Sequence, residues 1–261
     1  MKDVQNQTDS RGVEIQKVGI KGFELPIVIQ RKDDENKVIY ASATCGVTLP
    51  AHYKGTHMSR FVEVLNEWRE LKTLDIKSCV ESVVQKLNAK SAHVEFNFKY
   101  FIDKVSPVTG ISAPMCYDCT FEGILDNYGE EDEEYRFFLG VKVPVTTLCP
   151  CSKEISNYGA HNQRAIVSVK VSYPEEEHVW IEELVSEIEK CASSELYPLL
   201  KREDEKFVTE HAYDNPKFVE DVLRDVVLLL RNNDKIDLFE VECESIESIH
   251  NHSAYAYQCE G

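Results

Sequence analysis

The sequence contains no apolar run long enough to cross a bilayer: the longest, Val226 to Leu230, falls far short of the roughly 20 residues that a spanning helix needs. It lacks an excess of positive charge as well. Lysine and arginine total 29 against 46 acidic residues, a formal net charge of −17, and such a field repels the phosphates whose neutralisation underlies nucleic-acid binding. Met1 to Ser10 has no apolar core of the kind an export signal carries. A cytoplasmic chain with neither membrane nor nucleic-acid partners is therefore expected. No Gly-x-Gly-x-x-Gly or Walker-type phosphate loop occurs, which argues against a dinucleotide or P-loop enzyme. No Gly/Ser-rich or Pro-rich linker divides the 261 residues. The nine cysteines, at 45, 79, 116, 119, 149, 151, 191, 243 and 259, are odd in number and lack framework spacing, so reduced thiols are expected.

What is present is a core and a readable pattern. Hydrophobic residues make up 43% of the chain, enough to bury one large domain or two modest ones. Glu24 to Gln30 and Lys37 to Thr48 are rich in β-branched residues and flank the polar stretch Arg31 to Asn36, the signature of a hairpin. Met58, Phe61, Val62, Leu65, Trp68 and Leu71 recur at helical spacing, as do Ile76, Cys79, Val80, Val83, Val84 and Leu87 after a break at Thr73-Leu74-Asp75. Strands are expected at Ser91 to Phe101, Met115 to Leu125 and Glu134 to Val145, with the acidic run Glu130 to Glu134 as a solvated turn. The first half thus reads β-β-α-α-β-β. In the second half, Arg164 to Ser172 and Lys235 to Glu244 read as strands, and Trp180 to Leu196 and Pro216 to Arg231 as helices. That order suggests a looser repeat of the same unit and an α+β class.

Several clusters carry residue types suited to chemistry. In Leu148-Cys149-Pro150-Cys151-Ser152-Lys153, followed by Gly159-Ala160-His161-Asn162-Gln163-Arg164, a thiol and an imidazole lie on a short loop. The plain reading is two packed thiols and a surface histidine; the chemical one is a transition-metal site or an activated cysteine nucleophile. Near the C-terminal end, Glu247, His250 and His252 are either a solvated polar segment or groups that complete a metal shell or relay protons. Glu205 and Glu220 belong to charge-rich stretches that are ordinarily solvent-facing, but they can serve as a ligand or base and as a reader of polar substrate edges. Lys54, His57 and Arg60 gather around the start of the first helix, where Thr56 can be a simple N-cap or part of an anion site. Cys116-Tyr117-Asp118-Cys119 matches a redox motif on paper, yet positions i and i+3 of a strand face opposite sides.

Taken together, Gly55-Thr56-His57-Met58-Ser59-Arg60-Phe61, the Cys149 and His161 segments, Asp204-Glu205-Lys206 and Glu247-Ser248-Ile249-His250-Asn251-His252 resemble GTP cyclohydrolase I of type B, and the resemblance runs from Asp3-Val4-Gln5-Asn6 to Ala254. It implies a tunnelling fold of two β-β-α-α-β-β modules, residues 1–147 and 148–261, with antiparallel sheets, helices on one side and most site residues in the second. It also implies a homotetramer with active sites at subunit boundaries. The implied reaction converts GTP and water to 7,8-dihydroneopterin triphosphate and formate, the first step towards folate-type pterins and queuosine precursors. The resemblance makes Cys149, His161 and Glu205 ligands of a divalent metal (zinc, manganese or iron). His250, His252 and Glu247 become proton carriers and Glu220 the grip on guanine. Lys54, Arg60, Lys153, Arg164 and Lys206 become partners of the triphosphate. Two rivals remain: a nitrile reductase whose cysteine attacks a deazapurine nitrile, and a non-catalytic protein with a structural Cys/His metal site.

Overall fold

The computed structural model of the chain describes residues 5, 7–33, 36–69 and 75–261. Asp3, Val4 and Asn6 of the resembling segment, Asp34 and Glu35 of the first turn, and Leu71, Thr73 and Leu74 around the expected helix break lie outside the described residues. The elements run β1 (Ile15–Gln30), β2 (Asn36–Leu49), α1 (Met58–Arg69), α2 (Ile76–Leu87), β3 (Ala92–Val105), β4 (Ser112–Asp126), β5 (Glu134–Leu148), α3 (Pro150–Ile155), β6 (Asn162–Ser172), α4 (Ile181–Lys190), β7 (Ser194–Glu195), α5 (Arg202–Asp214), α6 (Val219–Arg231), β8 (Leu238–Ile246) and β9 (Ser253–Glu260). The chain divides into two compact units, Met1–Lys99 with Thr120–Leu139, and Tyr100–Cys119 with Gly140–Gly261.

In the first unit, β1 and β2 form the expected antiparallel hairpin, with Leu25 opposite Ala41 and Ile27 opposite Ile39. Leu25, Ile27 and Ile29 alternate into the core while their neighbours face outward, the period of a half-buried strand. Helix α2 begins where the Asp75 carboxylate accepts the Ser78 N–H at 3.2 Å and stops at Asn88, whose φ of +51° leaves the helical region. Its stripe Ile76, Cys79, Val80, Val83 and Val84 is buried. The strand beneath approaches closely at Gly123, where a Cβ would lie 2.5 Å from Ile76 Cγ2 and 2.9 Å from Val80 Cγ2. Helix α1 buries Phe61, Val64 and Leu65, so Val64 takes the place expected of Val62, and Met58 stays exposed.

The second unit pairs β6 with β8 and β8 with β9, all antiparallel. Helix α4 stops at Lys190, short of the expected Leu196, because the following residues leave it: Ser193 Oγ accepts the Leu148 N–H at 3.1 Å, and Ser194–Glu195 pair with β5. Helix α5 is fixed at its start by Asp204, which is fully buried and accepts N–H bonds from Val108 and Thr109 (both 2.9 Å) and Lys201 (2.8 Å) and the Thr109 hydroxyl (2.7 Å). Burial raises the pKa of that carboxyl, but these donors outweigh it and hold the group well below its ordinary value. Lys104 pairs with Glu189 at 2.8 Å in the interior, and Tyr117 donates to the same carboxylate.

The expectation of a tunnelling fold built from two like modules requires correction. Among the described residues, the strands join one nine-stranded sheet in the order β1-β2-β3-β4-β5-β6-β8-β9, with β7 beside β5. The first half keeps β-β-α-α-β-β, but the second runs β-α-β-α-β-α-α-β-β from β5 onward, so the module is not repeated. The physical reason is that β5 and β6 continue hydrogen-bonding as neighbours. A strand with unpaired backbone groups on one side extends an existing sheet instead of starting another. No helix among the described residues is long and apolar enough to cross a membrane.

Candidate active site

Cys149 sits where β5 ends and α3 begins. It is the N-cap of that short helix, with Pro150 in the first turn, and its sulfur accepts the Ser152 N–H at 3.4 Å. The loop from α3 to β6 returns beside it: the Cys149 N–H donates to the His161 carbonyl at 3.1 Å, and Ser152 Oγ donates to the Cys149 carbonyl while accepting the His161 N–H. The backbone of the two residues is thereby locked side by side, with Cys149 and His161 both half-buried.

The His161 ring is oriented by a chain of polar contacts. His161 Nδ1 lies 2.9 Å from Gln163 Oε1, which leaves Nε2 for another partner. The Gln163 amide N–H donates to Thr147 Oγ1 at 3.3 Å, Thr147 Oγ1 lies 3.3 Å from Ser245 Oγ, and the Ser245 hydroxyl donates to Glu247 Oε1 at 3.0 Å. Ser248 Oγ also donates to Gln163 Oε1, at 3.4 Å. The register that sets Ala165 opposite Ser245 carries Gln163 towards the β8–β9 loop. Glu247 is thus joined to the His161 network, whereas His250 and His252 stand exposed on the same loop with rings stacked 5.1 Å apart. Sequence reading missed Gln163, Thr147 and Ser245. Gln163 lies two residues from His161 at the start of a strand, and that spacing was an available signal for a shared face.

The other expected site residues are dispersed. Glu205 is exposed near the start of α5. Lys153 donates to the Tyr213 carbonyl and stands 4.2 Å from the centre of that ring, so α3 docks on the far end of α5. From Glu205 to Tyr213 is about 12 Å along a helix axis. Glu220, in the first turn of α6, is exposed; its carboxylate adds to burial in pushing the Cys243 thiol up to about 12. Lys206 pairs with Glu210 at 2.6 Å, and Arg164 is exposed on β6. In the first unit, Lys54 is exposed, while Arg60 joins Thr56, His57 and Asn88 around a cleft of 430 Å³ at the start of α1. Burial pushes the Cys45 thiol up to about 12, which marks it as core, and Cys116 is exposed while Cys119 is buried, as opposite faces of a strand require.

Among the described residues, the trio able to bring three ligand atoms within 4.8 Å of one another is His93, Glu95 and Glu122, and Cys149, His161 and Glu205 do not form such a trio. A group able to hold a metal ion is therefore present. The alternation of β3 places His93 and Glu95 on the face opposite Val94 and Phe96. Their convergence with Glu122 depends on strand pairing and was not visible in the sequence.

Among solved structures, a uricase from Bacillus fastidious is similar in fold, with a TM-score of 0.55 at 8% identity over 94% of this chain and 93% of its own. That likeness defines the class of architecture alone. The family described as "Type I GTP cyclohydrolase folE2" matches residues 1–256. The GTP cyclohydrolase FolE2 of Geotalea uraniireducens (strain Rf4) is 52% identical, covering 98% of this chain and 92% of its own length. That of Geobacter sulfurreducens is 51% identical, covering 98% and 96%. The chain belongs to the type I GTP cyclohydrolase FolE2 family.

Proposed function

We propose that the chain converts GTP and water to 7,8-dihydroneopterin triphosphate and formate, opening the imidazole ring of guanine by hydrolysis at the entry to folate-type pterins. Full-length family membership carries the activity. The observation that carries the site is the pairing of Cys149 and His161 through the backbone, with His161 Nδ1 engaged by Gln163.

The donor set fits a divalent metal. Cys149 Sγ and His161 Nε2 would hold it, and the amide acceptor behind His161 is the kind of outer partner that orients a ligating imidazole. Glu205 is the third ligand in this reading. Its exposure and its distance along α5 from the end that α3 touches support its donation to the site of a neighbouring copy, within a homotetramer of cytoplasmic chains. Thiolate, imidazole and carboxylate together admit zinc, manganese or iron. A metal held there would supply the acidification of water that attack on C8 at neutral pH requires.

The remaining residues bind and move protons. The Glu220 carboxylate accepts two N–H bonds from the guanine edge. Glu247, steadied by Ser245, takes and returns protons as the ring opens, and the exposed His250 and His252 exchange them with solvent. Triphosphate charge is met by cations. Lys54, Arg60, Lys153, Arg164 and Lys206 are the candidates; Lys153 and Lys206 also hold Tyr213 and Glu210, and Arg60 donates to the Lys86 carbonyl. The test is turnover of GTP by the purified protein across a series of divalent metals, read as pterin fluorescence after oxidation. Signal with at least one metal supports the proposal, and none with any metal contradicts it.

A further inference from the structure

His93 is a buried histidine with half of its hydrogen-bonding capacity unused. The residue is 7% exposed, its Nε2 stands 2.6 Å from Glu122 Oε1, and its Nδ1 is buried without a hydrogen-bond partner among the described residues. A buried polar nitrogen left in that state is unfavourable. Glu95 and Glu122 both come close enough that one carboxylate oxygen of each and a ring nitrogen of His93 lie within 4.8 Å of one another. Two carboxylate oxygens and one imidazole nitrogen converging in a half-buried place are donor types that a divalent cation takes.

The geometry around the trio holds it ready. The Asn97 amide donates to Glu95 Oε1 at 2.6 Å, and Thr120 Oγ1 donates to Asn97 Oδ1 at 2.8 Å, so Glu95 is oriented by a second layer of polar groups. On the neighbouring strand β2, Gly46 lies opposite His93 and Thr44 opposite Glu95, so the pairing positions on that side present no charge.

We infer that His93, Glu95 and Glu122 form a divalent-cation site in the first unit, with a donor set of its own that shares no residue with the Cys149–His161 centre. One imidazole nitrogen and two carboxylate oxygens, with no thiolate, suit manganese, iron(II) or zinc. The ion clamps β3 to β4 by neutralising the two carboxylates, and it raises the folded state's stability by mass action.

The test counts Mn2+ bound to full-length protein stripped by chelation, with the melting temperature measured in parallel. Wild type binds two ions per chain, Cys149→Ala retains one, and the double variant Cys149→Ala with Glu122→Gln retains none. Glu122→Gln alone keeps the shape of the side chain, loses one ion and weakens Mn2+ binding at this site at least about tenfold. Electron spin-echo spectroscopy of Mn2+ bound to Cys149→Ala shows coupling to an imidazole nitrogen that disappears in the further variant His93→Gln. The inference is overturned if Glu122→Gln binds as many ions as wild type, or if Cys149→Ala binds none; the trio is then an ion pair only. Failure of the Cys149 reading looks different: wild type and Cys149→Ala both bind one ion, and Glu122→Gln binds none.

Discussion

At the level of single residues, Gln163 holds the His161 ring through Nδ1 and acts through it as a positioning residue. Gln163→Ala removes the acceptor behind Nδ1 and is expected to weaken metal binding about 10–100-fold, whereas Gln163→Glu, which still accepts from Nδ1, keeps most of the affinity. Metal titration by competition with a chelator reads this directly, and unchanged affinity in Gln163→Ala contradicts the role. Asp204 makes a prediction in pH. Its folded pKa is depressed, so its contribution to stability is present above its ordinary value of 3.8 and lost as pH falls from there towards the lower folded pKa. Asp204→Asn should therefore lower the melting temperature at pH 7, and the gap from wild type should narrow steadily below about pH 4; a gap independent of pH argues against the charge as its source. That Cys149 and His161 lie side by side could be expected from the sequence, which puts a thiol and an imidazole on one short loop. Gln163 was not legible there, since an amide gains meaning only when the fold brings Thr147 and Ser245 beside it.

Among the elements, strong apolar periodicity makes a segment legible in the sequence, whereas β9, which buries none of its residues, goes unannounced. The hairpin, α1, α2 and the core strands announce themselves through apolar residues at period 2 or 3.6. Helix α5 buries only Asp204 and Ala212, so its pattern gives little apolar signal, and it is set instead by the buried carboxylate at its start. The end of α4 is not legible in the sequence because Ala192 and Leu196 extend the apolar pattern past the point where Ser193 and the β7 pairing stop the helix. Packing at Gly123 offers the sharpest test at this scale. Gly123→Ala drives a methyl into Ile76 and Val80 of α2, an overpacking expected to cost about 1–3 kcal/mol. Urea unfolding would show it, and a neutral result means that α2 does not press on β4 as described.

For the molecule as a whole, composition excluded more than it specified, and the internal likeness between the halves misled. Both halves contain strands followed by amphipathic helices, but hydrogen bonding between β5 and β6 makes one sheet of them, a feature of pairing that no single segment encodes. If Glu205 serves the centre of a neighbouring copy, Cys149→Ala and Glu205→Ala chains, each inactive alone, should regain part of the GTP turnover when unfolded together and reassembled as mixed oligomers. No recovery in mixed oligomers whose composition is verified contradicts sharing. The claim beneath all of this is that the Cys149 sulfur and the His161 imidazole grip one ion. X-ray absorption of the zinc-loaded protein measures it most directly: the account predicts a sulfur neighbour at about 2.3 Å that vanishes in Cys149→Ala, and a shell of nitrogen and oxygen alone in the wild-type protein would contradict it.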